Sequence, residues 1–118
     1  MTLLKIFTAT ATIALALAGC GSTKPSETPT DQVVIDVTIA GGNVTPTNKQ
    51  VQAKVKQPIV VHIDSDVADQ LHVHSEPEHT FDIKAAKAQT FTFTVDVPGK
   101  VDVELHHLDK TVATITAR

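Results

Sequence analysis

The sequence of 118 residues contains no tryptophan and no tyrosine, and it has one cysteine and one methionine. The methionine is Met1 and the cysteine is Cys20, so residues 21–118 carry no sulfur. This absence excludes disulfides, thiolate nucleophiles and sulfur-ligated metal sites from that part of the chain. A metal bound there must use histidine, carboxylates, backbone carbonyls or water as ligands.

The composition also excludes several classes of activity. The formal net charge is −3, and no basic patch with interleaved aromatic residues is present, so nucleic-acid binding is not expected. Ser65 and Ser75 stand near histidine and aspartate, but neither lies in the Gly-x-Ser-x-Gly pattern of a nucleophile elbow. The chain has no glycine-rich phosphate loop, and its few aromatic residues do not suit a carbohydrate cleft. The sequence therefore predicts a protein that is not an enzyme.

The N-terminal residues have the layout of a bacterial secretory signal. Lys5 supplies a positive charge, an apolar run follows at 13–18, and small residues precede Cys20. The apolar run is too short to span a bilayer as a permanent helix. The ending Leu17-Ala18-Gly19-Cys20 resembles a lipobox, which implies that Cys20 carries diacylglycerol and acyl chains such as palmitate. A short N-terminal anchor helix with an incidental cysteine is the alternative.

This interpretation divides the chain into three segments. Residues 1–19 are predicted to be the lipoprotein signal peptide. Residues 20–31 comprise the lipidated Cys20 and a Ser/Thr/Pro-rich tether, which lacks the apolar side chains that would offset the entropy of ordering it. Residues 32–118 are long enough for one small domain. We expect an exported monomer that its lipid anchor holds at the bacterial membrane or cell envelope.

From Gln32 onward, apolar and polar residues alternate with a period of two, which is typical of half-buried strands. A short segment at 85–88 favours helix but is long enough only for a turn. About eight short strands with turns between them predict an all-β fold, an antiparallel Greek-key β-sandwich. The runs that show the alternation are 33–40, 51–55, 59–64, 71–74, 80–83, 91–95, 101–106 and 111–117.

Histidines and acids concentrate between His62 and Asp82. Four of the six histidines and six of the thirteen acidic residues lie there. His72 and His74 are two residues apart in a predicted strand, so their side chains share one face and can converge on one ion. Imidazole nitrogen is a common ligand of Cu(II), Zn(II) and Ni(II), and a carboxylate can complete the coordination shell. His72 and His74 are therefore candidate metal ligands, whereas His62 is expected to be structural.

Other residues are candidates to complete that site. Glu78 and His79 belong to a stretch that can fold back over the histidine pair. His106 and His107 follow a later strand, and the alternation allows only one of these two rings to join a shared site. The alternative is that the histidines lie on a solvent-facing surface and bind nothing. Three further acids can be interpreted equally as loop caps or as ligands: Asp64, Asp66 and Asp69.

Residues 65–74 follow the pattern Ser-Asp-x-x-Asp-x-x-His-x-His, and residues 97–106 combine a Pro-Gly turn with a strand. Together with residues 39–46, they resemble a cupredoxin-like family of bacterial envelope proteins, related to the cupredoxin domain of iron-uptake lipoproteins. In blue-copper members, the strand after the Pro-Gly turn ends in a Cys ligand, which a His and usually a Met follow. Leu105 stands near that cysteine's position here. The resemblance thus implies a cupredoxin-like sandwich over 33–117 without a type 1 copper centre.

The function that we predict is that of a lipid-anchored envelope protein. It would bind Cu(II) or another divalent metal through its histidines, for sequestration or for handover to another envelope protein, and would not act in type 1 electron transfer. The alternative is a metal-free β-sandwich that presents its edge strands or loops to another protein at the cell surface.

Overall fold

The structure of the protein, a computed structural model, describes residues 31–118. The predicted signal segment, Cys20 and the predicted tether up to residue 30 lie outside the described residues. The described part of the chain forms nine β-strands and no helix, so the prediction of an all-β fold is confirmed. Accordingly, residues 31–118 contain no helix with the length and apolar character to cross a membrane. The strands are β1 (Val33–Ala40), β2 (Asn43–Thr45), β3 (Lys49–Ala53), β4 (Ile59–Ser65), β5 (Asp69–Val73), β6 (His79–Ile83), β7 (Gln89–Phe93), β8 (Gly99–Leu105) and β9 (Lys110–Ala117).

The nine strands form the two sheets of a β-sandwich. One sheet has the order β2-β1-β4-β7, and the other has the order β3-β9-β8-β5-β6. Most neighbouring strands are antiparallel, as predicted, but β1 pairs with β4 and β3 pairs with β9 in parallel. Both sheets are therefore mixed. Parallel neighbours need a long connection, and here the chain visits the opposite sheet before it returns, which a local period of two does not reveal.

The inward-facing side chains of both sheets form one apolar core. In β1, buried Ile35, Val37 and Ile39 alternate with exposed Val34, Asp36 and Thr38, which is the pattern expected when only one face of a strand is covered. The other sheet supplies its core residues in the same way. The largest fully buried side chains are Ile35, Ile39, Ile59, Ile63, Leu71, Leu105 and Ile115.

Strand β9 contains an irregularity that affects the outer face of its sheet. Opposite Val103 and Glu104 of β8 the pairing shifts by one residue, so that Val103 faces Ala113 but Glu104 faces Thr111. Val112 is the extra residue, and it is buried next to Ala113. Such a bulge re-aims the side chains that flank it. Here it places the half-buried Thr111 opposite Glu104.

Strand β2 was not among the predicted strands. It pairs with β1 through a two-residue turn at Gly41 and Gly42, where Ala40 faces Asn43. Both glycines have positive φ, 58° and 76°, as a tight hairpin turn of this kind requires. The predicted run 33–40 ends at the same residue as β1. With three residues, β2 is too short to show a period of two in the sequence.

The packing predicts that Leu71 contributes strongly to the stability of the domain. Its side chain is fully buried in the core, so Leu71→Ala should lower the free energy of unfolding by about 2–5 kcal/mol. Val97 is 50% exposed, and Val97→Ala should change that free energy by less than about 0.5 kcal/mol. Urea unfolding of both variants measures the difference. Equal losses would contradict this description of the core.

Candidate metal site

Strand β5 places the two candidate histidines on the outer face of the five-stranded sheet. Leu71 and Val73 point into the core, so His72 between them points outward. His74 follows the last residue of β5, and its backbone N–H donates to the carbonyl of Asp102 over 2.9 Å. The chain therefore stays beside β8 for one more residue. As predicted, the two imidazoles lie on one face, with ring centroids 4.4 Å apart.

Glu78 joins the two histidines from the loop between β5 and β6. One ligand atom each from His72, His74 and Glu78 lie within 4.8 Å of one another. A carboxylate oxygen of Glu78 contacts Nε2 of His72. Among residues 31–118, this is the one group of three or more His, Cys, Asp and Glu donors that meets this distance. Of the nine residues that the sequence offered as possible ligands, the structure thus brings three together.

The loop that carries Glu78 is held by its own hydrogen bonds. The Ser75 hydroxyl donates to the carbonyl of Pro77 over 2.6 Å. The Ser75 backbone N–H donates to the carbonyl of Val73 over 2.9 Å. These contacts fold the loop back toward β5, so that Glu78 returns to His72 after six residues. Half of the Glu78 side chain remains exposed, and an ion can reach the group from solvent.

Glu104 is a neighbour of this group that the sequence reasoning did not consider. Its Oε2 lies 2.9 Å from Nε2 of His74. The two residues are thirty positions apart in sequence and meet because β5 pairs with β8. The only sequence signal for this contact is that Glu104 is a polar residue of an alternating strand. The sequence does not show that β8 pairs with β5, so it does not predict that Glu104 contacts His74.

His79, the first residue of β6, does not join the group. Its register partner is the inward-facing Val73, so its ring points to the interior side of the sheet, away from the face of His72. Nε2 of His79 lies 3.2 Å from the carbonyl oxygen of Thr94. The ring packs beside Phe93 at the side of the sandwich where the edges of the two sheets meet, with centroids 5.6 Å apart. This placement suits a packing role.

His106 and His107 lie in the turn between β8 and β9, where both side chains are exposed. Their ring centroids are 5.5 Å apart. The His106 backbone N–H donates to the carbonyl of Gln70, at the opposite end of β5 from His74. Neither ring belongs to the group of donors around His72.

Asp69 anchors this turn from inside the protein. Its side chain is fully buried. It accepts hydrogen bonds from the backbone N–H groups of Gln70, His107 and Leu108, over 2.6, 2.8 and 3.2 Å. Of the two interpretations left open by the sequence, cap or ligand, the geometry of Asp69 is that of a cap.

Asp64, in β4, and Asp66, just after β4, have the same kind of role. Asp66 accepts a hydrogen bond from the backbone N–H of Gly41 over 2.8 Å. Asp64 accepts one from the backbone N–H of Ala88 over 2.7 Å. His62 pairs with Asp36 on the outer face of the other sheet, with 2.9 Å between Nδ1 and a carboxylate oxygen. These residues lie outside the group of donors around His72.

Comparison with known proteins places the fold. Neither the family models nor the curated proteins give a match to the sequence. Among solved structures, the metal-binding domain of the Cu(I)-exporting ATPase CopA of Streptococcus pneumoniae aligns with a TM-score of 0.55 at 13% identity, covering 75% of this chain and 88% of that one. Auracyanin B aligns with a TM-score of 0.54 at 10% identity, covering 74% and 88%. An oxidised amicyanin mutant aligns with a TM-score of 0.50 at 16% identity, covering 71% and 81%.

The chain has the cupredoxin-like fold. The predicted β-sandwich of this type is thereby confirmed. At identities of 10–16%, the similarity concerns the fold, and the chemistry has to be argued from the residues of this chain.

The donor atoms of the described residues do not fit a type 1 copper centre. Such a centre requires a cysteine thiolate, and residues 31–118 contain neither cysteine nor methionine. Leu105, which stands near the expected position of the thiolate, is an apolar side chain buried in the core. The nitrogen and oxygen donors of His72, His74 and Glu78 instead suit Cu(II), Zn(II) or Ni(II).

We predict that Asp69 is needed for stability. Asp69→Ala leaves three backbone N–H groups without their acceptor and should lower the free energy of unfolding by at least about 2 kcal/mol. Asp69→Asn keeps one acceptor oxygen and should cost less. The exposed Asp82 provides the control, since Asp82→Ala should change stability by less than about 0.5 kcal/mol. A loss of metal binding in folded Asp69→Asn, without a loss of stability, would instead favour a ligand role.

Proposed function

We propose that the protein binds a divalent metal ion, in the first place Cu(II), through His72, His74 and Glu78. The observation that carries this proposal is the convergence of these three donors on one exposed face of the sheet. His72 lies in β5 between two core residues, and His74 follows β5 with its backbone N–H bonded to the carbonyl of Asp102. The backbone therefore places both imidazoles on this face. Two imidazoles and one carboxylate favour borderline divalent ions over Mg²⁺ or Ca²⁺.

The exposure of the group supports sequestration or handover of the ion. His74 and Glu78 have 45% and 56% of their side chains exposed, so part of the coordination sphere stays open to water or to a partner's ligand. No thiolate is present among the described residues to support fast type 1 electron transfer. The metal-binding domain of CopA, which has a similar fold, was solved with Cu(I). Copper is therefore the first metal to test.

Metal titration tests the proposal. The protein for this test is the full chain with Cys20→Ser, purified in mild detergent. The substitution removes the only thiol that could reduce or bind Cu(II). Calorimetry should show about one equivalent of Cu(II), because the described residues form one group of three donors. Replacing His72 and His74 together by Ala should abolish this binding. The Cu(II) EPR spectrum should show nitrogen hyperfine structure, and no intense thiolate band should appear in the visible spectrum.

Two histidine variants serve as matched controls. His62→Ala removes an exposed histidine that also pairs with a carboxylate but lies on the other sheet. The double change His106→Ala and His107→Ala removes the exposed pair of the β8–β9 turn. Both should bind Cu(II) like the parent chain. Unchanged stoichiometry without His72 and His74 would refute the assignment, and weak, non-stoichiometric heat in the parent would favour the metal-free interaction module.

We further propose that Cys20 carries the lipid that holds the protein at the bacterial membrane or cell envelope. The support comes from the sequence, namely the charge of Lys5, the apolar run and the Leu-Ala-Gly-Cys ending. Because the described sandwich begins with β1 at Val33, the residues between Cys20 and β1 would separate it from the membrane surface. In this arrangement the domain acts at the envelope, where it is exposed to ions outside the cytoplasm.

Lipidation gives a prediction that is independent of the metal. In a bacterial host fed with labelled palmitate, the parent chain should incorporate label and sediment with membranes. Cys20→Ser should lose the label, because no other thiol is available. Cys20→Ala should behave in the same way. Label that persists in both variants would contradict acylation at Cys20.

A further inference from the structure

We propose that Glu104 is a positioning residue of the metal site, which holds the His74 ring through Nε2–H so that Nδ1 faces the ion. This inference rests on the proposed function, because it assigns a role toward the same ion. It adds a residue and a specific nitrogen atom to the site, and the protonation of that nitrogen can be tested in the metal-free chain.

The position of Glu104 follows from the pairing of β5 with β8. Glu104 is the register partner of His72, on the outer face of the same sheet. Its Oε2 lies 2.9 Å from Nε2 of His74, which is an ordinary hydrogen-bond distance. The side chain is 40% exposed, so the contact is partly shielded from water.

The bulge in β9 provides a second contact for Glu104. Because the pairing shifts after Val103, Thr111 faces Glu104 across the two strands. The Thr111 hydroxyl lies 3.5 Å from Oε1 of Glu104, the oxygen that does not contact His74. Glu104 therefore lies between Thr111 of β9 and the imidazole of His74, and the contact with His74 is the shorter of the two.

The chemistry of the contact determines which nitrogen is free. The Glu104 carboxylate can only accept a hydrogen bond, so in the metal-free chain Nε2 of His74, which faces it, carries the proton. In a neutral ring the other nitrogen, Nδ1, then has the lone pair that a metal requires. Carboxylates that bind the second nitrogen of a ligand histidine fix its tautomer and orientation in the same way.

The distances argue against Glu104 as a direct ligand. The donors of His72, His74 and Glu78 lie within 4.8 Å of one another, and Glu104 does not belong to this group despite its contact with His74. Glu104 thus touches one ligand of the site without sharing the space between the three. This arrangement is that of a residue acting through His74.

The test compares two substitutions in the Cys20→Ser full chain. Glu104→Ala removes the acceptor and should weaken Cu(II) binding by about 10–100-fold. Glu104→Gln should retain most of the affinity, because its amide oxygen can accept the same hydrogen bond. Asp102→Ala is the matched control, since Asp102 lies two residues away on the same face and also contacts a threonine of β9, Thr114. It should bind Cu(II) like the parent.

Long-range ¹H–¹⁵N NMR spectra of the metal-free chain provide a readout that a purely structural role would not change. In the parent and in Glu104→Gln, His74 should carry its proton on Nε2. In Glu104→Ala, this preference should be lost while the thermal unfolding temperature stays close to that of the parent. Together, a changed tautomer and a weaker affinity in a folded variant would support the positioning role.

Four outcomes would overturn the inference. If Glu104→Ala binds Cu(II) as tightly as the parent, Glu104 has no role at the site. If folded Glu104→Gln binds Cu(II) as weakly as Glu104→Ala, the carboxylate is a ligand. A proton on Nδ1 of His74 in the parent also refutes the assignment, and it leaves the proposed function intact. Absence of Cu(II) binding by the parent refutes the proposed function and this inference together.

Discussion

The site depends on the position of β5 between β6 and β8 in the five-stranded sheet. Leu71 and Val73 are fully buried, so the side chains that alternate with them in the strand point to the outer face of the sheet. His72 must therefore face outward, with Glu104 opposite it on β8. A shift of β5 by one residue would bury the imidazole and expose two core residues. The alternation that buries Leu71 and Val73 in the core therefore also places His72 at the site.

The period of two in the sequence was sufficient to predict the all-β fold and the shared face of His72 and His74. These features are local, because alternation along one strand determines them. The parallel pairs β1–β4 and β3–β9 depend on which strands become neighbours, and periodicity carries no information on that point. The contact of Glu104 with His74 escaped prediction for the same reason.

The histidines outside the group show a different limit of the sequence. His79 is adjacent to Glu78 in the chain, yet its side chain points to the interior side of the sheet. Because Glu78 and His79 are neighbours in sequence, both were candidate ligands. Their side chains lie apart because His79 begins β6 and points inward. His106 and His107 follow a strand in the sequence, but their turn lies at the opposite end of β5 from His74. Leu105, near the position that a type 1 copper centre gives to its thiolate, is buried in the core.

The hydrogen bonds of Asp69 have a consequence for the turn between β8 and β9. The buried carboxylate binds the backbone N–H groups of His107 and Leu108, and these groups are present whatever side chains the two positions carry. Leu108 also packs against the core, and Asp109 has a positive φ of 52°, so these two positions of the turn depend on their residue type. The exposed imidazoles of His106 and His107 can change by mutation without the loss of the two hydrogen bonds to Asp69.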